Sequence, residues 1–133
     1  MNIALIDDDT TTLSITELML KKTNAIMAED NVEKYRTIED FYSRDTKTNF
    51  NIVICDQDFG RLSSKKGFDF LKGLVNNGFQ GKAVLLTGDD SISMGLRMSF
   101  EGKLEYVTKN MSAGDKNVYS VLSRIISNIR TGN

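Results

Sequence analysis

The sequence predicts an α/β domain in which parallel strands form one sheet and helices pack on both of its faces. Three observations predict it. Short apolar runs of strand length alternate with longer segments of helical periodicity, the pattern of strands joined by crossover helices. Several of those runs have no polar break, which suits strands covered from both sides. The runs also end alike: Ile3 to Ile6 opens onto Asp7-Asp8-Asp9, Ile52 to Cys55 onto Asp56, Ala83 to Leu86 onto Thr87-Gly88, and Leu104 to Val107 onto Thr108-Lys109. In open α/β sheets the carboxyl ends of the strands are where ligands bind, so these endings mark the candidate site.

The elements follow in order. Asn2 to Ile6 is the first strand, and from Thr10 the periodicity turns helical, with a threonine at the expected N-cap and Leu13, Glu17 and Leu20 along the helix. Ala25 to Ala28 reads as the last turn of this helix or as a strand; the helix is preferred, because Val32 to Thr37 makes the better strand. The charges in Val32 to Thr37 place it at a sheet edge. Thr37-Ile38-Glu39-Asp40 resembles a capping-box start, with Asp where Glu or Gln is usual, and Ile38, Phe41 and Tyr42 form the expected inward stripe of the second helix. After the third strand, a loop from Gln57 to Lys66 leads into a helix with Phe68, Leu71, Leu74 and Val75 as its apolar positions, ending near Asn76 to Gly78. Lys82 to Thr87 is the fourth strand. A short helix from about Ser91 to Phe100 follows, with Asp89 and Asp90 at its positive end and Gly102 as its stop. Leu104 to Val107 is the fifth strand. The last helix is expected to begin near Ser112, with Asp115 three residues on, and carries the stripe Val118, Leu122, Ile125, Ile126 and Ile129.

Composition narrows the function. A chain of 133 residues suits one domain, residues 1–133, with enough length for a real core. The net charge of −1 leaves no electrostatic footprint for nucleic acid. No apolar run approaches the roughly 20 residues that span a bilayer, and no signal-like pattern opens the chain, so a cytoplasmic protein without membrane contact is expected. The single cysteine, Cys55, cannot form an internal disulfide and reads as a small hydrophobe in a buried strand. With no histidine, the chain excludes a phosphohistidine of its own, a histidine triad and a histidine-containing zinc site.

Asp7-Asp8-Asp9, Asp56, Thr87-Gly88 and Thr108-Lys109, in this order and at the same ends of successive strands, resemble a response-regulator receiver domain, a single-domain, chemotaxis-regulator-like one. The resemblance covers essentially the whole chain. It implies a flavodoxin-like three-layer sandwich with strand order 2-1-3-4-5. It also implies that Asp56 accepts a phosphoryl group from a phosphohistidine of a partner histidine kinase or phosphotransfer protein. Asp7, Asp8, Asp56 and the backbone carbonyl of Asp58 would hold Mg²⁺, Thr87 would hydrogen-bond a phosphoryl oxygen, and Lys109 would pair with that group or with Asp56. Tyr106 matches the aromatic position that changes rotamer on phosphorylation, and the fourth helix, fifth strand and fifth helix would form the surface for a downstream protein target.

Physical chemistry supports these roles on its own terms. Carboxylates gathered on one rim repel and raise one another's pKa until a cation intervenes. Magnesium takes a few hard oxygens and keeps several waters, which suits a site of carboxylates without nitrogen or sulfur ligands. A cation, an ammonium and a hydroxyl supply the charge stabilisation and positioning that phosphoryl transfer requires. Each residue also has a plainer reading taken alone: Asp7 to Asp9 as a helix start, Asp9 above all; Thr87 as a strand-end hydroxyl; Lys109 and Lys65-Lys66 as solvated lysines; Tyr106 as a half-buried aromatic.

The chain departs from the family at several positions. Asn110 follows Lys109 where the family has proline after a cis peptide; a cis bond before a non-proline residue costs about 2.5 to 4 kcal/mol, so a trans link is expected. The loop after Asp56 is longer than usual, and Asp58 and Asp89 add acids beside the site. Two other functions compete. Asp56-Gln57-Asp58 has the Asp-x-Asp form of Mg²⁺-dependent haloacid-dehalogenase-type phosphohydrolases, but there that motif lies on the first strand, whereas here Asp7 to Asp9 precede it. A receiver-like adaptor that leaves Asp56 unphosphorylated is the other.

Overall fold

Burial sorts the strands. The computed structural model describes residues 1–43, 49–57, 66–88, 102–109 and 117–132. In β1 (Asn2–Ile6), β3 (Ile52–Asp56) and β4 (Lys82–Thr87) every residue after the first of β1 and β4 is buried, as layers on both faces require. β2 (Asn31–Tyr35), buried only at Tyr35, and β5 (Leu104–Thr108), buried at Leu104 and Val107, are more exposed and lie at the two edges. All pairings are parallel, in the order β2-β1-β3-β4-β5, which is the flavodoxin-like topology that the receiver resemblance implies.

Alternate residues of each strand feed opposite layers. Ala4, Ile6, Val53, Cys55, Ala83 and Leu85 pack against α2 (Ile38–Ser43) and α3 (Gly67–Asn76) through Ile38, Phe41, Phe68, Phe70 and Leu71. Ile3, Leu5, Ile52, Ile54, Val84, Leu86 and Val107 pack against α1 (Thr10–Lys22) and α4 (Val118–Thr131) through Leu13, Leu20, Leu122, Ile125 and Ile126.

Several local expectations need correction. The N-cap of α1 is Asp9, not Thr10: its carboxylate accepts the Thr11 and Thr12 amides at 2.9 and 3.4 Å, a stronger acceptor than a hydroxyl one residue later. Ala25 to Ala28 is neither helix nor strand. α1 stops at Lys22, Asn24 takes φ 62°, and the reversal drives Ala25 and Ile26 into the core. β2 ends at Tyr35, which frees Thr37 to cap α2 by accepting the Asp40 amide at 3.0 Å. Tyr42 does not belong to the inward stripe; it is 54 % exposed and lays its ring edge-on against Phe41 and Phe70. α4 begins at Val118 rather than near Ser112, because Asn117 takes an extended conformation and its side chain accepts the Tyr119 amide at 2.8 Å. The expected helix at Ser91 to Phe100, and the Lys109-Asn110 peptide, lie outside the described residues.

Candidate functional site

The carboxyl rim of the sheet is held in register beyond the strand ends. The Asp7 amide donates to the Tyr35 carbonyl at 3.0 Å, the Gln57 amide to Leu86 at 3.0 Å, and the Lys109 amide to Thr87 at 2.8 Å. Strands that stay paired to their last residue deliver neighbouring side chains to one place.

Asp7, Asp56 and Thr87 are buried there. Asp7, Asp8 and Asp56 each offer a carboxylate oxygen, and these three oxygens lie within 4.8 Å of one another. Lys109 forms an ion pair with Asp56 from the end of β5. One oxygen of Asp7 accepts the Asp9 amide at 3.0 Å, which locks the turn between β1 and α1 and aims the carboxyl group. Asp9 itself faces solvent as the helix cap, and the Thr11 and Thr12 amides hold its carboxyl below the usual range.

The charge balance is incomplete. Burial pushes the Asp7 carboxyl up to about 6; the Asp9 amide offsets part of this, the Asp56 carboxylate adds to it, and Lys109 is too little to restore the ordinary value. Among the described residues, three clustered carboxylates against one ammonium leave net negative charge on this part of the rim. A divalent cation would meet that excess, and an all-oxygen donor set with two buried members and one half-buried member fits magnesium. Beside the cluster, burial and the Asp56 charge push the Cys55 thiol well above its usual pKa, so it is neither a thiolate nor a metal ligand.

Tyr106, in the middle of β5, is half-buried, and its ring stacks on Phe68 at the start of α3 with centroids 6.2 Å apart. Asp58 and Asp89 fall outside the described residues.

Solved structures with this architecture carry the same description repeatedly. The response regulator DrrB of Thermotoga maritima, an OmpR/PhoB homolog, superposes with a TM-score of 0.70 at 22 % identity over 98 % of this chain and 52 % of that one, so the chain spans about half of DrrB. The fold is that of a response-regulator receiver domain. The BeF3-activated receiver domain of DrrB gives a TM-score of 0.68 at 20 % identity and covers 98 % of this chain and 97 % of that chain. A CheY-like receiver domain protein of Methanospirillum hungatei JF-1 gives 0.69 at 18 % identity, over 99 % and 98 % of the two chains. No protein-family model matches the sequence, and neither does any curated protein. At such identities the likeness establishes the receiver fold, and the chemistry has to be argued from the residues on the rim.

Two residues of the rim region escaped the sequence reading. Gln57 accepts the Phe68 amide through its side chain at 2.8 Å and the Gly67 amide through its carbonyl at 3.1 Å. Gly67 lies so close that a Cβ there would sit 2.1 Å from the Asp56 carbonyl oxygen. The only sequence signal was a glycine at a helix start, and glycines in such places have many causes.

Proposed function

We propose that the chain is a phosphoacceptor of two-component or phosphorelay signalling. An Asp56 carboxylate oxygen attacks the phosphorus of a phosphohistidine presented by a histidine kinase or phosphotransfer protein. The new O–P bond forms as the P–N bond to the donor imidazole breaks, and the imidazole leaves with the electron pair. The observation that carries this reading is the meeting of Asp7, Asp8 and Asp56 within 4.8 Å, with Lys109 paired to Asp56.

Each residue then has one task. Asp7 and Asp8, with Asp56 and the Asp58 carbonyl, would hold Mg²⁺, which when bound supplies charge neutralisation for both the acids and the phosphoryl oxygens. Lys109 moves from the unphosphorylated Asp56 carboxylate to the incoming phosphoryl oxygens, and the Thr87 hydroxyl donates to one of them. The product adds nearly two negative charges at neutral pH, by analogy with phosphoesters, at a buried point beside β4 and β5. Thr87 and Tyr106 report that charge to the surface around the expected Ser91 to Phe100 helix, β5 and α4, where a downstream protein binds. The protein catalyses only its own phosphorylation and dephosphorylation, and works in the cytoplasm.

Incubation with Mg²⁺ and acetyl phosphate, read by intact mass, tests this. Wild type is expected to gain one phosphoryl group and Asp56→Asn none. An unmodified wild type, under conditions that label other receivers, supports the adaptor instead; steady turnover of a generic phosphomonoester supports the phosphohydrolase.

A further inference from the structure

α3 starts without a cap of its own. Its N-cap residue, Lys66, makes no side-chain hydrogen bond to the first turn, so the leading amides of the helix need an acceptor from elsewhere. Gln57 supplies it from eleven residues upstream: its side-chain Oε1 accepts the Phe68 amide at 2.8 Å and its carbonyl accepts the Gly67 amide at 3.1 Å. The same residue is bonded to Asp56 and is itself fixed to the sheet by donating to Leu86 at 3.0 Å. Gly67 completes the contact from the other side, with no room for a Cβ against the Asp56 carbonyl. Phe68, whose amide is held in this way, stacks its ring on Tyr106.

We infer that Gln57 is a positioning residue of the phosphoryl site, resting on the reading of Asp56 as phosphoacceptor: it fastens the start of α3 to the residue that receives the charge, so that a change at Asp56 reaches the Phe68 ring and through it Tyr106. A helix capped only by its own sequence would settle independently of β3. A helix capped by the neighbour of Asp56 cannot shift without that neighbour. The hydroxyl of Thr87 is one route from the site to β5, and Gln57 with Phe68, whose ring stacks on Tyr106, is a second.

The test uses the full chain with 3-fluorotyrosine incorporated and the Tyr106 resonance assigned by Tyr106→Phe. Beryllofluoride with Mg²⁺ serves as the phosphoryl mimic. Wild type is expected to show a Tyr106 fluorine shift on saturation and a slowly exchanging Phe68 amide. Gln57→Met, which keeps the length and removes the acceptor, is expected to lose at least tenfold of the Phe68 amide protection and most of the Tyr106 shift, while its Kd for the mimic changes less than threefold. Gln57→Glu retains the acceptor and restores the shift. A Gln57→Met protein that loses the amide protection yet keeps the full Tyr106 shift overturns the inference and leaves a helix cap. A Gln57→Met protein that keeps the protection overturns it too. Failure of wild type to bind the mimic at all overturns the phosphoacceptor reading on which the inference stands, and is recognised because no variant is needed to see it.

Discussion

Two aspartates with covered side chains, one at each end of the sheet, show how the same side chain becomes structure or site. Asp30 sits just before β2, and its side chain is fully covered. Its oxygens receive the Arg130 guanidinium from α4 and the Met27 amide at 2.8 Å, while Arg130 also donates to the Ala25 carbonyl at 2.9 Å. Burial alone would raise its pKa, but the Arg130 hydrogen bonds and the Met27 amide win, and the carboxyl is held down at about 2. Asp7, at the opposite end of β1, is similarly buried but faces Asp8 and Asp56, and is pushed up to about 6. Asp30 has enough partners within the chain. Asp7 has too few, a deficit that a cation from outside would fill.

That contrast is open to experiment, beginning with the largest effect. Asp56→Asn removes the nucleophile and should abolish phosphoryl labelling entirely by intact mass, whereas Asp30→Asn should label at the wild-type rate wherever it is folded. Asp30→Asn should instead cost stability, roughly 2 kcal/mol in urea denaturation at pH 7, because Arg130 loses its charged partner. Asp7→Asn should do the reverse: in the absence of divalent ions it should stabilise the protein by about 1 kcal/mol by relieving an uncompensated charge, while weakening Mg²⁺ binding at least tenfold by calorimetry.

The two acids should also respond to pH with opposite signs. The folded-state pKa of Asp30 lies below its unfolded value, so its contribution is present above pH 4 and is lost as pH falls from about 4 toward 2. The folded-state pKa of Asp7 lies above its unfolded value, so the metal-free protein should lose stability as pH rises from about 4 through 6, by at most about 3 kcal/mol. Mg²⁺ at about ten times its Kd should return about 1.4 kcal/mol at pH 7, and progressively less as pH falls below 6 and Asp7 takes up a proton. Thermal melts at stepped pH, with and without the ion, separate the two windows.

How much of this was readable beforehand depends on the range of the interactions. β1, β3 and β4 were plain because burial on both faces writes an unbroken apolar run, and each run ended on the residue that meets its neighbours on the rim. The parallel sheet was therefore predictable from the alternation, and the order 2-1-3-4-5 from the resemblance. The juxtaposition of Asp7, Asp8, Asp56 and Lys109 followed from the same endings. Helix boundaries were less legible. Asp9 and Thr10 both offer cap oxygens, and only the turn geometry chooses the carboxylate. At α4 the choice fell on Asn117, five residues beyond the expected Ser112. Asp30 and Gln57 were invisible because their partners, Arg130 and Phe68, lie 100 and 11 residues away in sequence. No local pattern marks an acid that meets a distant arginine, or a glutamine that caps a helix it does not belong to.

One magnesium ion is expected among Asp7, Asp8 and Asp56. A crystal structure grown with Mg²⁺ and beryllofluoride tests it directly. The expected result is a single ion with oxygens of Asp7 or Asp8 and of Asp56 at about 2.0–2.1 Å, the mimic on Asp56, and Lys109 turned from the carboxylate to a fluorine. Density for the mimic or the ion elsewhere, with Lys109 still paired to a bare Asp56, would contradict it.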